Sequence, residues 1–140
     1  MQKPQITGNR ISIPSTQEYL PDVDIFIEGL MRGYGIEESV IADIAISASE
    51  LVNNAIDHGN KRNEEMRVTV EIEKNADNVT IKVTDEGNGF DSESLEDPLA
   101  EENLLKEVGR GIFIVRSLMD SVNIESADNG TVVIFTKNLK

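Results

Sequence analysis

The chain has 140 residues, and its 26 acidic and 13 basic side chains give a formal net charge of −13. This charge disfavours nucleic acid as a partner, because binding to a phosphate backbone needs a basic surface. Since the sequence has no cysteine, signal peptide or bilayer-length apolar run, we expect one cytoplasmic domain over residues 1–140, without disulfides, thiolate metal sites or a membrane role.

The first predicted elements are a strand and a helix. Arg10–Ile13 alternates polar and apolar residues, which indicates a short edge strand. The run Ser15-Thr16-Gln17-Glu18 has the spacing of a capping box, so a helix should follow it as far as Gly33. Pro21 removes one helical hydrogen bond. Either the first turn is therefore irregular, or the regular helix begins at Pro21.

A second helix is predicted from about Glu37 to His58, with Gly59 as its C-terminal cap. At about 100° per residue it has a broad apolar face and a polar stripe beside it. Glu50, Asn54 and His58 recur every four positions along that stripe. A carboxylate, an amide and an imidazole aligned in this way can grip a ligand. The alternative is a solvated helix face, with His58 favoured by the helix dipole.

Two strands follow, over Arg67–Glu73 and Val79–Asp85, with a turn at 75–78. Their strict alternation predicts an antiparallel hairpin with one apolar face. The side chains expected toward the core are Val68, Val70, Ile72, Val79, Ile81 and Val83.

The remaining third combines a loop, a helix and two strands. Residues 91–107 are acidic, include Pro98 and predict a loop with one short helix around 101–105. A helix is expected to begin at Gly109-Arg110-Gly111 and to run to Asp120, before strands over 122–125 and 131–136. The predicted fold is an α+β two-layer sandwich, with a mixed or antiparallel sheet and about three helices on one face.

Four motifs stand in a fixed order along these elements. They are Glu50-x3-Asn54-Ala55-x2-His58, Asp85-x-Gly87-x-Gly89, Gly109-x-Gly111 and Gly130-Thr131. The carboxylate of Asp85, at a strand end, can accept a hydrogen bond from an exocyclic amine such as that of adenine. Gly87 and Gly89 have no side chains, so a flat base or a ribose can approach the backbone. The alternative for this motif is an ordinary turn.

The other motifs suit a phosphate group. If Gly109 to Gly111 open a helix, their backbone amides can receive phosphate, and Arg110 adds a fork of donors. The alternative is a flexible helix entry. Asn54 offers a neutral oxygen for Mg²⁺, or is simply a partly exposed polar residue. Thr131 can hydrogen-bond a base or a bridging water, or is an ordinary β-branched strand residue.

The four motifs in this order resemble the GHKL ATPase superfamily, which includes DNA gyrase, the histidine kinases and the mismatch-repair ATPases. The resemblance covers nearly the whole chain. Within the superfamily, residues 97–105 and 109–120 look most like the stand-alone serine/threonine kinases that act as anti-sigma factors. The resemblance implies ATP and Mg²⁺ as ligands, a sigma factor as binding partner, a STAS-type antagonist protein as phosphorylation substrate, and a homodimer.

Two hypotheses of different class follow from the resemblance. In the first, the protein is a kinase with Glu50 as general base and Asn54 on Mg²⁺. In the second, it is a nucleotide-gated or non-catalytic module that sequesters a partner without phosphotransfer. Glu50 favours the kinase, because a pure binding module needs no base there. The residues implied to bind ATP are Asn54, His58, Asp85, Gly87, Gly89, Gly109, Arg110, Gly111 and Thr131.

Overall fold

The computed structural model describes residues 3–87, 101–127 and 130–139, with the backbone alone at 101–108 and 127. Gly89 and residues 91–100 of the predicted loop lie outside this range. The strands are Gln5–Thr7 (β1), Arg10–Pro14 (β2), Arg67–Lys74 (β3), Asn78–Thr84 (β4), Ser121–Ala127 (β5) and Gly130–Asn138 (β6). The α-helices are Leu20–Gly33 (α1), Glu38–Asn54 (α2) and Glu101–Leu118 (α3). None of the helices in these ranges is long and apolar enough to cross a bilayer.

The strands form one sheet in the order β1-β2-β3-β4-β6-β5, with every neighbouring pair antiparallel. The α+β sandwich is therefore confirmed, with the antiparallel form of the sheet. The predicted hairpin is β3 and β4, in which Val70 pairs with Val83 and Ile72 with Ile81. All six apolar side chains predicted for its inner face are buried, because alternation places every second residue against the helices.

Arg10–Ile13 forms a strand as predicted, but the prediction that this strand lies at the edge of the sheet is wrong. β1 pairs with β2 and takes the edge, across a turn in which Gly8 has a φ of +59°. β1 has only three residues, all of them exposed, and the side chain of Ile6 is 61% accessible. A strand without a buried face has no apolar alternation, so the sequence carried no signal for it.

Each of the two alternatives left open by Pro21 describes part of what the structure shows. The first turn is irregular, and the regular helix begins at Leu20, next to Pro21. A short 3₁₀ turn, Gln17–Tyr19, precedes α1, and Pro21 lies in the first turn of the helix, where its missing N–H has no helical partner to lose. The capping oxygen is that of Thr16, which accepts from the Glu18 N–H at 3.4 Å. Ser15, the expected cap, instead donates to the Met66 carbonyl at 2.7 Å.

α2 packs against both α1 and α3, and its end differs from the prediction. The chain passes from α2 into a single π-helical turn, Ala55–Gly59, closed by the Asn60 N–H on the Ala55 carbonyl at 2.8 Å. Gly59 does not take a positive φ, so it is not the left-handed cap that we expected. The positive φ values fall on Lys61 and Arg62, at 52° and 60°.

The prediction that Gly109-Arg110-Gly111 begins a helix is also wrong. α3 is continuous from Glu101 to Leu118 and includes the short helix expected at 101–105. A glycine inside a helix costs about 1 kcal/mol relative to alanine, which makes a break at Gly109 and Gly111 a reasonable expectation. Packing overrides this cost, since Gly111 is buried against the side chains of Glu50 and Asn54 on α2.

Candidate functional site

A cavity opens where the end of α2 meets α3 and the strands β4, β6 and β5. Four of the side chains singled out from the sequence line it, namely Asn54, His58, Asp85 and Thr131. They come together because α2 and its π-helical turn end above the point where β4 ends and β6 begins. The remaining lining residues are Leu51, Ala55, Gly59, Val83, Ile112, Ile124 and Val133.

Asp85 directly follows β4 and is fixed to β6. Its N–H donates to the Thr131 carbonyl at 3.0 Å, and the Thr131 N–H donates to Oδ1 of Asp85 at 3.1 Å. The Gly87 N–H donates to the same oxygen, also at 3.1 Å. Among the described residues both hydrogen bonds to the carboxylate therefore go to Oδ1, and Oδ2 is left to receive a donor from a ligand.

Burial raises the pKa of the Asp85 carboxyl above its ordinary value, and the backbone hydrogen bonds from Thr131 and Gly87 act in the opposite direction. A buried carboxylate with incomplete hydrogen bonding is costly to keep ionised. An N–H donor on Oδ2 would offset part of that cost. The site is thus suited to a ligand with an amine beside an apolar body.

Three glycines pack closely around Asp85, and one of them, Gly59, lines the cavity. A β-carbon on Gly59 would overlap Oδ2 of Asp85, and a β-carbon on Gly87 would overlap the Gly59 carbonyl oxygen. Gly130 has a φ of +148°, a conformation that L side chains rarely adopt, and lies against the Asp85 carbonyl. A side chain at any of these three positions would displace Asp85 or the backbone packed against it.

Apolar side chains that belong to none of the four sequence motifs form the walls. Val83 and Val133 face the cavity from paired strands, while Ile112 approaches from α3. Ile124 on β5 is 40% exposed although it is a large apolar residue. The alternation of polar and apolar residues along β5 was the sequence signal that could have identified Ile124. Apolar walls around a few polar groups are typical of small-molecule sites.

Asn54 lines the cavity, and Glu50 lies beside it, one helical turn earlier, where α2 contacts α3. A β-carbon on Gly111 would lie 2.8 Å from Nδ2 of Asn54 and 3.4 Å from Oε2 of Glu50. Nδ2 of Asn54 is buried and has no hydrogen-bond partner within the described part of the chain. A buried donor without a hydrogen-bond partner costs about 1–3 kcal/mol. A ligand that accepts a hydrogen bond from the Asn54 amide would remove this cost, which favours its binding.

The same two side chains could contribute to a metal site. The described residues include no group of three or more His, Asp or Glu side chains that could hold an ion. Mg²⁺ commonly takes one or two protein oxygens and completes its shell with substrate phosphates and waters. The Asn54 amide oxygen, with the Glu50 carboxylate one turn away, fits that pattern and not a cage made by protein alone.

The other residues singled out from the sequence are placed differently. Gly109 and Arg110 are exposed on α3, outside the cavity lining. Gly89 lies outside the described residues. His58, by contrast, lines the cavity and is half-buried within the π-helical turn. Asn60, which the sequence analysis did not consider, is 2% exposed and contacts the loop after β4.

Comparison with known proteins identifies the family. A family model described as the histidine kinase-like ATPase domain matches residues 13–137. The chain belongs to this family. The match includes α2, Asp85, α3 and β6, so all the elements around the cavity fall within the histidine kinase-like ATPase domain.

Similar proteins include one named as a protein kinase. The chain is 30% identical to serine-protein kinase RsbW of Staphylococcus aureus strain JH9 over 135 residues, covering 91% of this chain and 84% of that protein. Among solved structures, the RsbU and RsbW domains of Rv1364c from Mycobacterium tuberculosis give a TM-score of 0.64 at 21% identity. That comparison covers 96% of this chain and 34% of the other.

A second structural comparison is with the histidine kinase domain of the blue-light activated histidine kinase EL346 from Erythrobacter litoralis. Its TM-score is 0.57 at 22% identity, with 91% of this chain and 62% of the other covered. At these identities the structural likenesses concern the fold. They confirm that the sandwich has the fold of the histidine kinase-like ATPase domain.

Proposed function

We propose that this protein is a protein serine/threonine kinase that uses Mg-ATP, with the adenine bound in the cavity at Asp85. The observation that carries the proposal is the Asp85 carboxylate, held through Oδ1 by two backbone donors with Oδ2 available in an apolar cavity. The RsbW protein kinase at 30% identity, aligned over 91% of this chain, supports the choice of a protein substrate.

Adenine recognition rests on complementarity between the base and the cavity. The exocyclic amine of adenine donates to Oδ2 of Asp85, and the flat ring lies between the apolar walls. Thr131, whose hydroxyl lies 3.5 Å from that of Ser126, supplies a second polar contact to the base or to a bridging water. Gly59 lines the cavity and has no side chain that would obstruct the ring, whereas the space beside Gly87 is filled by the Gly59 carbonyl.

Phosphoryl transfer takes place at the other end of the cavity, beside Glu50 and Asn54. The oxygen of the substrate hydroxyl attacks the γ-phosphorus, the bond from that phosphorus to the β–γ bridging oxygen breaks, and ADP leaves. The hydroxyl proton passes to the Glu50 carboxylate. Mg²⁺ neutralises charge on the phosphates when it is bound, and Asn54 is the protein ligand that we assign to it. Arg110 and His58 are further candidates for phosphate contact.

The proposed regulatory role is that of an anti-sigma factor. The protein would bind a sigma factor, phosphorylate a STAS-type antagonist protein and act as a homodimer in the cytoplasm. Support comes from the RsbW relative and from the net charge of −13, which attracts a basic partner surface.

A second function has an observation in its favour. In this structure Gly111 packs directly on Asn54 and Glu50, so α3 covers the place assigned to the phosphates. A module that sequesters its partner without phosphotransfer, gated by nucleotide or independent of it, is compatible with such a closed contact.

Transfer of labelled phosphate separates the two functions. The protein is incubated with γ-labelled ATP, Mg²⁺ and candidate STAS-type proteins, each also tested with its acceptor serine or threonine replaced by alanine. We expect label on the intact antagonist and none on the alanine variant. Partner capture without any label transfer, in the presence of saturating Mg-ATP, would support sequestration in place of catalysis.

A further inference from the structure

We infer that Asn60 is a positioning residue for adenine recognition, holding the loop 85–87 so that Asp85 faces the base. The inference rests on the proposed function, because it concerns the nucleotide that the cavity is proposed to bind. Asn60 itself contacts no part of that nucleotide in the proposal. It acts through the backbone next to Asp85.

The side chain of Asn60 is buried and fully engaged. Its amide nitrogen donates to Oγ of Ser15 at 2.8 Å and to the Arg67 carbonyl at 3.1 Å. Its amide oxygen accepts the Glu86 N–H at 2.9 Å. Ser15 is itself 1% exposed and donates to the Met66 carbonyl. A continuous chain of hydrogen bonds thus connects the start of β3 and the end of β2 to the loop after β4.

The residue that Asn60 holds lies between the two residues that form the base-reading geometry. Glu86 lies between Asp85 and Gly87. Oδ1 of Asp85 accepts the Gly87 N–H, and Gly87 packs directly against the Gly59 carbonyl oxygen. A shift of the Glu86 N–H therefore moves both neighbours. Because a hydrogen bond weakens steeply with misalignment, a small rotation of the Asp85 carboxylate is enough to lose the contact with an amine.

The π-helical turn gives Asn60 its position. The Asn60 N–H donates to the Ala55 carbonyl, five residues earlier, and closes the turn that carries His58 and Gly59. Such turns are rare and occur often at functional sites. An amide side chain supplies the two N–H donors and the one carbonyl acceptor that these contacts need, so neither leucine nor aspartate reproduces all three.

The test measures discrimination between two nucleotides that differ at the amine. Inosine diphosphate has a carbonyl oxygen where adenosine diphosphate has the exocyclic amine, so the ratio of their Kd values reports the Asp85 contact. We expect the parent protein to prefer ADP by about tenfold or more, as for a hydrogen bond to a charged group. Asn60→Ala should lower that ratio several-fold through weaker ADP binding, with inosine diphosphate binding little changed.

Two further variants separate positioning from general stability. Asn60→Asp keeps an acceptor for the Glu86 N–H, so it should retain more of the ratio than Asn60→Ala. Ile27→Val removes a buried methyl group from α1, which contains none of the hydrogen-bond partners of the Asn60 side chain, and it should lower the Tm without changing the ratio. If Asn60→Ala does not fold, Ser15→Ala replaces it, because it removes one anchor of the amide and should lower the ratio partly.

The outcomes distinguish this inference from the proposed function. A parent protein that binds neither nucleotide, or binds both equally, overturns the adenine site and this inference with it. A parent that prefers ADP, together with an unchanged ratio in folded Asn60→Ala or Ser15→Ala, overturns the role of Asn60 alone. A reduced ratio in Ile27→Val would assign the effect to stability and also overturn that role.

Discussion

The carbonyl oxygen of Gly59 occupies the space that a β-carbon on Gly87 would need. The turn after α2 and the loop after β4 therefore cross through backbone atoms alone. Gly59 in turn lies against the Asp85 carboxylate, where it also leaves no room for a side chain. The helix motif and the strand-end motif thus form one structural unit, and a change in either should alter the position of the Asp85 carboxylate.

Gly87→Ala tests this crossing directly. The added β-carbon would meet backbone, which cannot yield as a flexible side chain does, so the loop must move away from Gly59. We expect a loss of about 1–3 kcal/mol in unfolding free energy and a loss of ADP affinity. Calorimetry and thermal unfolding measure the two effects.

Gly29→Ala is the matched control for Gly87→Ala. Gly29 lies within α1, and its β-carbon would meet nothing within 4 Å. The substitution should stabilise the protein by about 0.5–1 kcal/mol and leave ADP binding unchanged. Parental ADP affinity in Gly87→Ala would show that the crossing does not set the binding geometry.

The raised pKa of Asp85 predicts opposite effects of pH on binding and on stability. Between the ordinary and the raised value, the carboxyl is protonated in the folded protein and ionised in the unfolded chain. Its contribution to unfolding free energy is therefore present below the ordinary pKa and is lost as pH rises through the raised one. Affinity for ADP should increase over the same interval, because the amine of adenine needs the ionised acceptor.

Asp85→Asn is the variant that checks the pH prediction. It keeps an oxygen for the Thr131 and Gly87 N–H groups but does not titrate. The unfolding free energy and the ADP affinity should then both vary less with pH. ADP should bind more weakly than to the parent, while pyrophosphate binding should change less. An equal loss for ADP and pyrophosphate would show that Asp85 supports the fold and does not read the base.

Glu50→Gln separates catalysis from binding. Glutamine keeps the volume of the side chain but cannot take a proton from the substrate hydroxyl. Transfer of phosphate to the antagonist protein should fall by about 10²–10⁴, as is typical for a general base. ADP affinity should stay within several-fold of the parent, and sigma-factor capture should persist. Transfer at the parental rate by the folded variant would remove Glu50 from the mechanism.

Substitutions at Gly109 and Gly111 test whether the start of α3 unwinds when nucleotide binds. The backbone N–H groups assigned to phosphate lie inside this helix, so they can donate to phosphate oxygens only if residues 101–108 leave the helical conformation. Gly109→Ala, whose β-carbon would meet nothing within 4 Å, should strengthen the helix by about 0.5–1 kcal/mol. ADP binding should then weaken by about two- to fivefold.

Hydrogen exchange over residues 101–111 gives an independent measurement of the same event. In the parent, exchange in this segment should change when ADP is added. Gly111→Ala is the contrasting variant, because its β-carbon would crowd Nδ2 of Asn54 at 2.8 Å. It should destabilise the contact between α2 and α3 and not strengthen it. Parental ADP affinity in Gly109→Ala, with unchanged exchange, would mean that α3 stays intact on binding.

The sequence by itself determined the elements whose buried faces show as a regular spacing of apolar residues along the chain. β3 and β4 alternate at every position, so their inner faces and their pairing could be predicted without knowing the fold. The polar stripe of α2 and the acidic residue at the end of β4 follow the same logic. The binding role of Asn54, His58, Asp85 and Thr131 was implied by the resemblance of their motifs to the GHKL superfamily, and the structure brings all four around one cavity.

Only the tertiary structure decided the features that depend on distant contacts. α3 runs through two glycines because Gly111 packs on α2, which intrinsic helix propensity does not include. Asn60 reads locally as a turn residue, yet its partners Ser15 and Glu86 lie 45 and 26 positions away. A hydrogen bond between residues so far apart has no periodic signature in the chain. Its geometry exists only once α2, the π-helical turn and the sheet have packed together.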